Sequence, residues 1–278
     1  HAGERILSSL YQEHTGRYFN HNVHSVRVLD DMVNWNISLQ TLDGILCHNG
    51  ELELKEYRPC EMSTFVEYDK KVEACYVDEK AIGELIPCTL EGCVMRICDI
   101  IAYLGKDRQD AMRLNLLKES PFTAGAIGTS NGEIINNFSV NIIENSYGKD
   151  YLKMDEEYFD ALRQAKKENY EMIYNNKLLN DLYENEIRPM FGELYEELLR
   201  QAESGDKSSV FYRHHMAYME KNNFYVKSHV RKPYAEQEKN QLVVDYLASM
   251  TDDYFIALYH YLFPKGKHDV KFVGYFDL

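Results

Sequence analysis

Apolar residues recur three and four positions apart along most of this chain, and that spacing predicts helices. A first helix is predicted over residues 1–14, where Ile6, Leu7 and Leu10 form an apolar stripe. Ser38 and Asp155 stand where N-caps are expected, directly before two further helical patterns. The other predicted helices cover residues 21–32, 39–47, 65–76, 87–117, 134–144, 155–174, 177–203 and 236–263.

The segments between these patterns are short and polar. Residues 50–62 are irregular, residues 145–154 have room for one short extended piece, and the last residues form an extended tail. With only 6 prolines and 15 glycines in 278 residues, the chain has few of the turn residues of an all-β protein. We therefore expect an all-α fold, with a weak boundary near Ser120 and Pro121.

The helix predicted between residues 87 and 117 has two faces. Val94, Ile97, Ile101 and Leu104 are spaced for a core-facing stripe. If that stripe is buried, the neighbouring face carries the polar groups of the helix.

Asp99, Tyr103 and Asp107 share that second face, because residues four apart stack along a helix. A carboxylate beside an apolar seam is costly to bury unless a cation pairs with it. The face suits a bound metal, but spacing alone favours a solvated surface or an ion pair from Asp99 to Arg96 or Lys106.

A second candidate set lies at the start of the chain. His1 and Glu4 are three residues apart and would share a helix face, where the carboxylate favours the protonated imidazole. Such a pair suits general acid chemistry at neutral pH, although a plain surface pair has the same spacing. His21 stands at a predicted helix start, where it could cap, pack or react.

Charge and composition argue against some classes of function. The net charge of −14 argues against general nucleic-acid binding, which needs basic contacts to phosphate. The chain has no run of 18 apolar residues, so the sequence predicts no membrane span. The six scattered cysteines form no C-x-x-C pair, which is typical of reduced, packed thiols in a cytoplasmic protein.

Five sequence blocks carry a resemblance to a known family. In chain order they are His1-Ala2-Gly3-Glu4, Phe19-Asn20-His21-Asn22 with Ser25, Arg27 and Val28, then residues 39–51, residues 96–103 and residues 244–254. Together they resemble the dGTPase-like group of HD-domain deoxynucleoside triphosphate triphosphohydrolases. The resemblance covers essentially the whole chain in the right order.

The resemblance implies a fold and an activity. The fold would be an HD-domain-like helical bundle with a helical C-terminal extension, residues 1–118 forming part of the HD core and residues 119–278 the extension. The activity would be hydrolysis of a dGTP-like dNTP substrate to the deoxynucleoside and inorganic triphosphate. A cytoplasmic homo-oligomer is expected.

The resemblance also assigns roles. His1 would protonate the leaving 5′ oxygen, oriented by Glu4, and His21 would lie close to the α-phosphate. Tyr103 and Asp107 would contact the deoxyribose, with Asp107 accepting from the 3′ hydroxyl.

Asp99 would be one ligand of a divalent metal: Mg, Mn or a similar transition metal. The family's other ligands, a histidine and an adjacent His-Asp pair, would lie before His1. We therefore expect the chain to lack the N-terminal part of the HD motif, so that this fragment itself could be inactive. Ile100 replaces the second aspartate of many bacterial members, and Tyr103 keeps the register.

Two alternatives remain beside this function. One is an HD phosphohydrolase that acts on another nucleotide or phosphoester. The other is a non-catalytic, nucleotide-binding helical protein.

Overall fold

The computed structural model describes residues 2–33, 35–49, 53–117, 122–223 and 233–270. It is helical almost throughout, which confirms the predicted all-α fold. The α-helices of the described residues are α1 Ala2–Thr15, α2 His21–Arg27, α3 Leu39–Leu46, α4 Phe65–Val77, α5 Leu90–Arg113, α6 Asn131–Ser146, α7 Glu156–Asn169, α8 Lys177–Leu182, α9 Arg188–Ser204, α10 Ala217–Asn223, α11 Lys239–Ala248 and α12 Asp252–Leu262.

Short helical turns of other types and one pair of strands complete the described structure. The strands β1 Glu56–Tyr57 and β2 Leu152–Lys153 pair antiparallel. The second strand lies in the segment predicted to be extended, whereas the first was predicted to be irregular. The turns are the π-helical Val28–Met32, Tyr170–Tyr174, Tyr183–Ile187 and Tyr212–Met216, and the 3-10 Ala81–Glu84 and Tyr234–Glu236.

Contacts divide the chain into two compact units. We call residues 1–36 and 181–278 the terminal unit, and residues 37–180 the central unit. The division predicted between residues 118 and 119 stays a prediction.

Helix α5 lies at the centre of the central unit. Thr89 caps it by accepting from the backbone N of Gly92 at 3.0 Å, so the helix begins three residues after the predicted Pro87. Ile97 and Leu104 are buried as predicted, but Val94 is 44% exposed and was wrongly placed in the core stripe. Cys93, fully buried, occupies the core position instead.

Three helices, α3, α6 and α7, pack against α5. The approach of α6 is close at Gly105, where a Cβ would come within 2.6 Å of the Asn131 side chain. Glycine is therefore required at this crossing. The shared core also includes Ile134, Phe138 and Leu162, each fully buried.

In the terminal unit, α1, α9 and α11 pack on one another. Their contacts bury Leu7, Leu194 and Val243. The single helix predicted over residues 236–263 was wrong: it is α11 and α12, separated at Ser249. Thr251 starts α12 by accepting from the backbone N of Tyr254 at 3.3 Å, which favours a new helix over continuation.

All six cysteines lie in the described residues and are free thiols, as predicted. Cys98 is exposed rather than packed, whereas Cys47, Cys75 and Cys93 are buried. Among the described helices we find no segment with the length and apolar character of a transmembrane span.

Candidate functional site

In the terminal unit, Glu4 of α1 holds His21, the first residue of α2. One carboxylate oxygen of Glu4 accepts from both the backbone N and Nδ1 of His21, each at 2.8 Å. A carboxylate is favourable at a helix N-terminus, where backbone N–H groups are otherwise unpaired. Both side chains are partly exposed, at 22% for Glu4 and 43% for His21.

This pairing was not predicted from the sequence. The sequence predicted that Glu4 orients His1, and His1 lies outside the described residues. The contact between Glu4 and His21 joins residues 17 positions apart and has no signal in helical periodicity. The roles assigned to His1, Glu4 and His21 stay predictions.

Two turns of α2 beyond His21, a buried ion pair fixes the helix. Arg27 donates from Nε and Nη2 to the two carboxylate oxygens of Asp245 at 2.7 and 2.6 Å. Tyr234 and Gln241 each donate to the same carboxylate at 2.9 Å. Burial acts to raise the pKa of Asp245, but the hydrogen bonds and charge of Arg27 outweigh it and hold this pKa below its ordinary value.

Two histidines lie beside this ion pair. Burial lowers the pKa of His24, although the nearby Asp245 opposes the shift. Burial lowers the pKa of His215 to about 4. Because the Tyr234 hydroxyl donates to Asp245, its oxygen accepts from Nε2–H of His215 at 2.7 Å, which assigns the tautomer of a neutral imidazole.

In the central unit, the polar face of α5 has the predicted arrangement. Asp99 and Asp107 are half-buried, and Tyr103 is 58% exposed. The Tyr174 hydroxyl donates to Oδ2 of Asp107. Burial, and then this hydrogen bond, raise the pKa of Tyr174. Lys106, one suggested partner of Asp99, pairs instead with Asp110 at 2.5 Å.

Sequence reasoning missed Tyr174, Asp245 and Arg108. Tyr174 ends a π-helical turn, a feature frequent at functional sites but without a signature in apolar spacing. Asp245 lies inside the block over residues 244–254, so that motif was a signal for it. Arg108 follows Asp107 directly and is almost fully buried, which its charge alone argues against.

Comparison with known proteins gives two kinds of match. Residues 188–261 match the family model described as a phosphohydrolase-associated domain. The "deoxyguanosinetriphosphate triphosphohydrolase-like" protein of Clostridium tetani is 25% identical over 95% of this chain and 64% of its own length. Those of Caldanaerobacter subterraneus and Clostridium perfringens are 25% and 26% identical, over 95% and 91% of this chain, each over 62% of its own length.

The predicted resemblance to the dGTPase-like family is confirmed. The chain spans 62% to 64% of the length of these relatives. The phosphohydrolase-associated match contains α9, α11 and Asp245, so the buried ion pair with Arg27 joins α2 to that segment.

Among the described residues, Asp99 is the one to which the resemblance assigns a metal-ligand role. Asp99 offers carboxylate oxygen, which suits Mg or Mn. Across the described residues, no group of three or more His, Cys, Asp or Glu side chains is arranged to hold a metal ion. The donor chemistry of Asp99 therefore fits such a metal, and the described residues do not form a complete site.

Proposed function

We propose that this chain is part of a metal-dependent phosphohydrolase that cleaves a dGTP-like deoxynucleoside triphosphate to the deoxynucleoside and inorganic triphosphate. The observation that carries the proposal is the face of α5, where Asp99, Tyr103 and Asp107 follow one another at spacings of four and Tyr174 donates to Asp107. The names of the similar proteins support the same substrate class.

The polar face of α5 would bind the sugar and one metal. Asp107 would accept from the 3′ hydroxyl, and Tyr174 would hold the carboxylate in place. The exposed ring of Tyr103 would lie against the deoxyribose. Asp99 would supply one oxygen ligand to a divalent Mg, Mn or similar metal, which polarises a phosphate and lowers the pKa of a bound water.

His21 and His1 would take the roles that the resemblance assigns to them. Glu4 fixes the ring of His21 through Nδ1, so Nε2 is the nitrogen that would donate to an α-phosphate oxygen. His1 would protonate the departing 5′ oxygen. We further propose a homo-oligomer in the cytoplasm.

The test is a dNTP hydrolysis assay of the whole protein with added Mn²⁺ or Mg²⁺, with the products separated by anion exchange. We expect intact triphosphate. Asp99→Ala should lower kcat about 100-fold, because metal polarisation is lost. Asp107→Ala should raise KM about tenfold, since a hydrogen bond to a charged group contributes about 1.5–3 kcal/mol.

Asp110→Ala is the matched control, since Asp110 is a carboxylate on the same helix that pairs with Lys106. It should leave kcat and KM unchanged. Release of pyrophosphate or monophosphate would identify a phosphohydrolase of another specificity. Nucleotide binding without turnover under any metal would identify a non-catalytic binder.

A further inference from the structure

Arg108, the residue after Asp107, ties α5 to the end of α7. The side chain is 1% exposed. Nε donates to Oδ1 of Asn169 at 2.8 Å, and Nη2 donates to the carbonyl of Ala165 and to Oε2 of Glu168, both at 3.2 Å. The ring of Phe122 lies 4.0 Å from the guanidinium carbon. Three acceptors in one turn of α7 therefore fix the position of α5 at Arg108.

Asn169 makes the reverse connection. Its Nδ2 donates to the carbonyl of Leu104 on α5 at 2.9 Å, and the residue is 2% exposed. Each helix therefore donates to the other through buried groups, where water does not compete for the hydrogen bonds. Because a fork of N–H groups and an amide both have fixed geometry, this link sets a distance as well as an orientation.

Glu168 supplies the negative charge that faces the guanidinium of Arg108 in this link. Burial acts to raise the pKa of Glu168, but hydrogen bonds from Thr123 at 2.7 Å and Gln164 at 3.0 Å outweigh it and hold this pKa below its ordinary value. The carboxylate stays ionised at neutral pH and balances the guanidinium of Arg108.

The hydrogen bonds of Arg108 and Asn169 lie close in sequence to both partners of the contact between Tyr174 and Asp107. Asp107 directly precedes Arg108, and Asn169 directly precedes the π-helical turn Tyr170–Tyr174. We propose that Arg108 and Asn169 are positioning residues that set the hydrogen bond from Tyr174 to Asp107. Their effect on substrate rests on the proposed function, in which Asp107 holds the deoxyribose.

The first experiment measures hydrogen exchange of the backbone amides in residues 170–175 by mass spectrometry. Asn169→Leu removes both of its hydrogen bonds, and Arg108→Lys keeps the charge but loses the fork, so at least one variant remains foldable. We expect about tenfold faster exchange in this segment, with no change in α6. Asp110→Asn, on the exposed side of α5, should leave the exchange unchanged. Unchanged exchange in folded Arg108→Lys would overturn the proposal.

The second experiment separates positioning from general stability by a double-mutant cycle on KM for dNTP. Tyr174→Phe and Arg108→Lys should each raise KM several-fold with kcat nearly constant. If Arg108 acts through Tyr174, the double variant should be no worse than the worse single variant. Multiplied effects would make Arg108 a structural residue only. Wild-type protein without turnover would overturn the proposed function, and the exchange experiment would then decide on the positioning alone.

Discussion

Arg27 in the terminal unit and Arg108 in the central unit are both buried guanidinium groups that face a carboxylate, yet their partners differ. Asp245 receives both arms of Arg27 at 2.7 and 2.6 Å and is itself fully buried. Arg108 makes one 3.2 Å contact with Glu168, and its shortest hydrogen bond goes to the neutral amide of Asn169 at 2.8 Å. Nη1 of Arg108 has no acceptor among the described residues.

This difference shows which groups neutralise the charge of each arginine. The charge of Arg27 lies chiefly against the fully buried carboxylate of Asp245, which has no solvent to replace a lost partner, while Gln237 at 2.6 Å and the partly exposed Asp31 at 3.3 Å are further acceptors. Arg108 has the Glu168 carboxylate and two neutral acceptors, and Glu168 has further hydrogen bonds from Thr123 and Gln164 that do not involve the arginine. Losing the carboxylate should therefore matter more in the terminal unit.

The largest loss of unfolding free energy should come from Asp245→Asn. It removes the fully buried carboxylate from the Arg27 guanidinium and leaves the partly exposed Asp31 at 3.3 Å, and breaking a buried pair in this way costs about 3–5 kcal/mol of unfolding free energy. Glu168→Gln should cost less, about 1–3 kcal/mol, because neutral acceptors still hold Arg108. Urea unfolding at pH 7.5 measures both values. Equal losses for the two variants, or the reverse order, would refute the comparison.

A change of pH should have an intermediate effect on the free energy of unfolding. His215 has a pKa of about 4 when folded, whereas an unfolded histidine titrates near 6.5. As the pH falls from 6.5 towards 4, the unfolded chain takes up the proton first, so the unfolding free energy falls by about 2 kcal/mol by pH 4.5. The contribution is fully present above pH 6.5. The contacts of Arg108 in the described residues include no histidine.

Urea titrations at pH 7.5 and 4.5 test this difference, with His215→Gln as the matched variant. Its amide can still donate to the Tyr234 oxygen, and it does not titrate in this range. The variant should lose about 2 kcal/mol less than the wild type between the two pH values. The same loss in both proteins would place the pH dependence elsewhere, for example at His24.

The smallest change in unfolding free energy is expected from the exposed partner of Arg27. Arg27 Nη1 also contacts Asp31 at 3.3 Å, and that carboxylate is 35% exposed. Solvent screens such a pair, so Asp31→Asn should change the unfolding free energy by less than about 1 kcal/mol. A loss as large as that of Asp245→Asn would mean that burial does not govern these pairs.

Local pattern predicted the helices and the face of α5, because both follow from spacing along one segment. Ser38 and Asp155 cap α3 and α7 as expected, since the backbone N–H that donates to an N-cap side chain lies within three residues of it. The contacts of the candidate site could not be predicted in this way. Asp107 meets Tyr174 across 67 positions, and Arg27 meets Asp245 across 218. Such pairs depend on how helices pack, and helical periodicity in one sequence does not encode that.

The exposed thiol of Cys98 stands directly before Asp99, while Cys47, Cys75 and Cys93 are enclosed by protein. Burial raises the pKa of Cys75 and of Cys93 to about 11, so both remain protonated and slow to react with maleimides at neutral pH. Cys60 and Cys88 are partly exposed, so a variant with both replaced by serine can carry an environment-sensitive fluorophore on Cys98, beside the proposed metal ligand. Its emission would follow the arrival of manganese or nucleotide in real time.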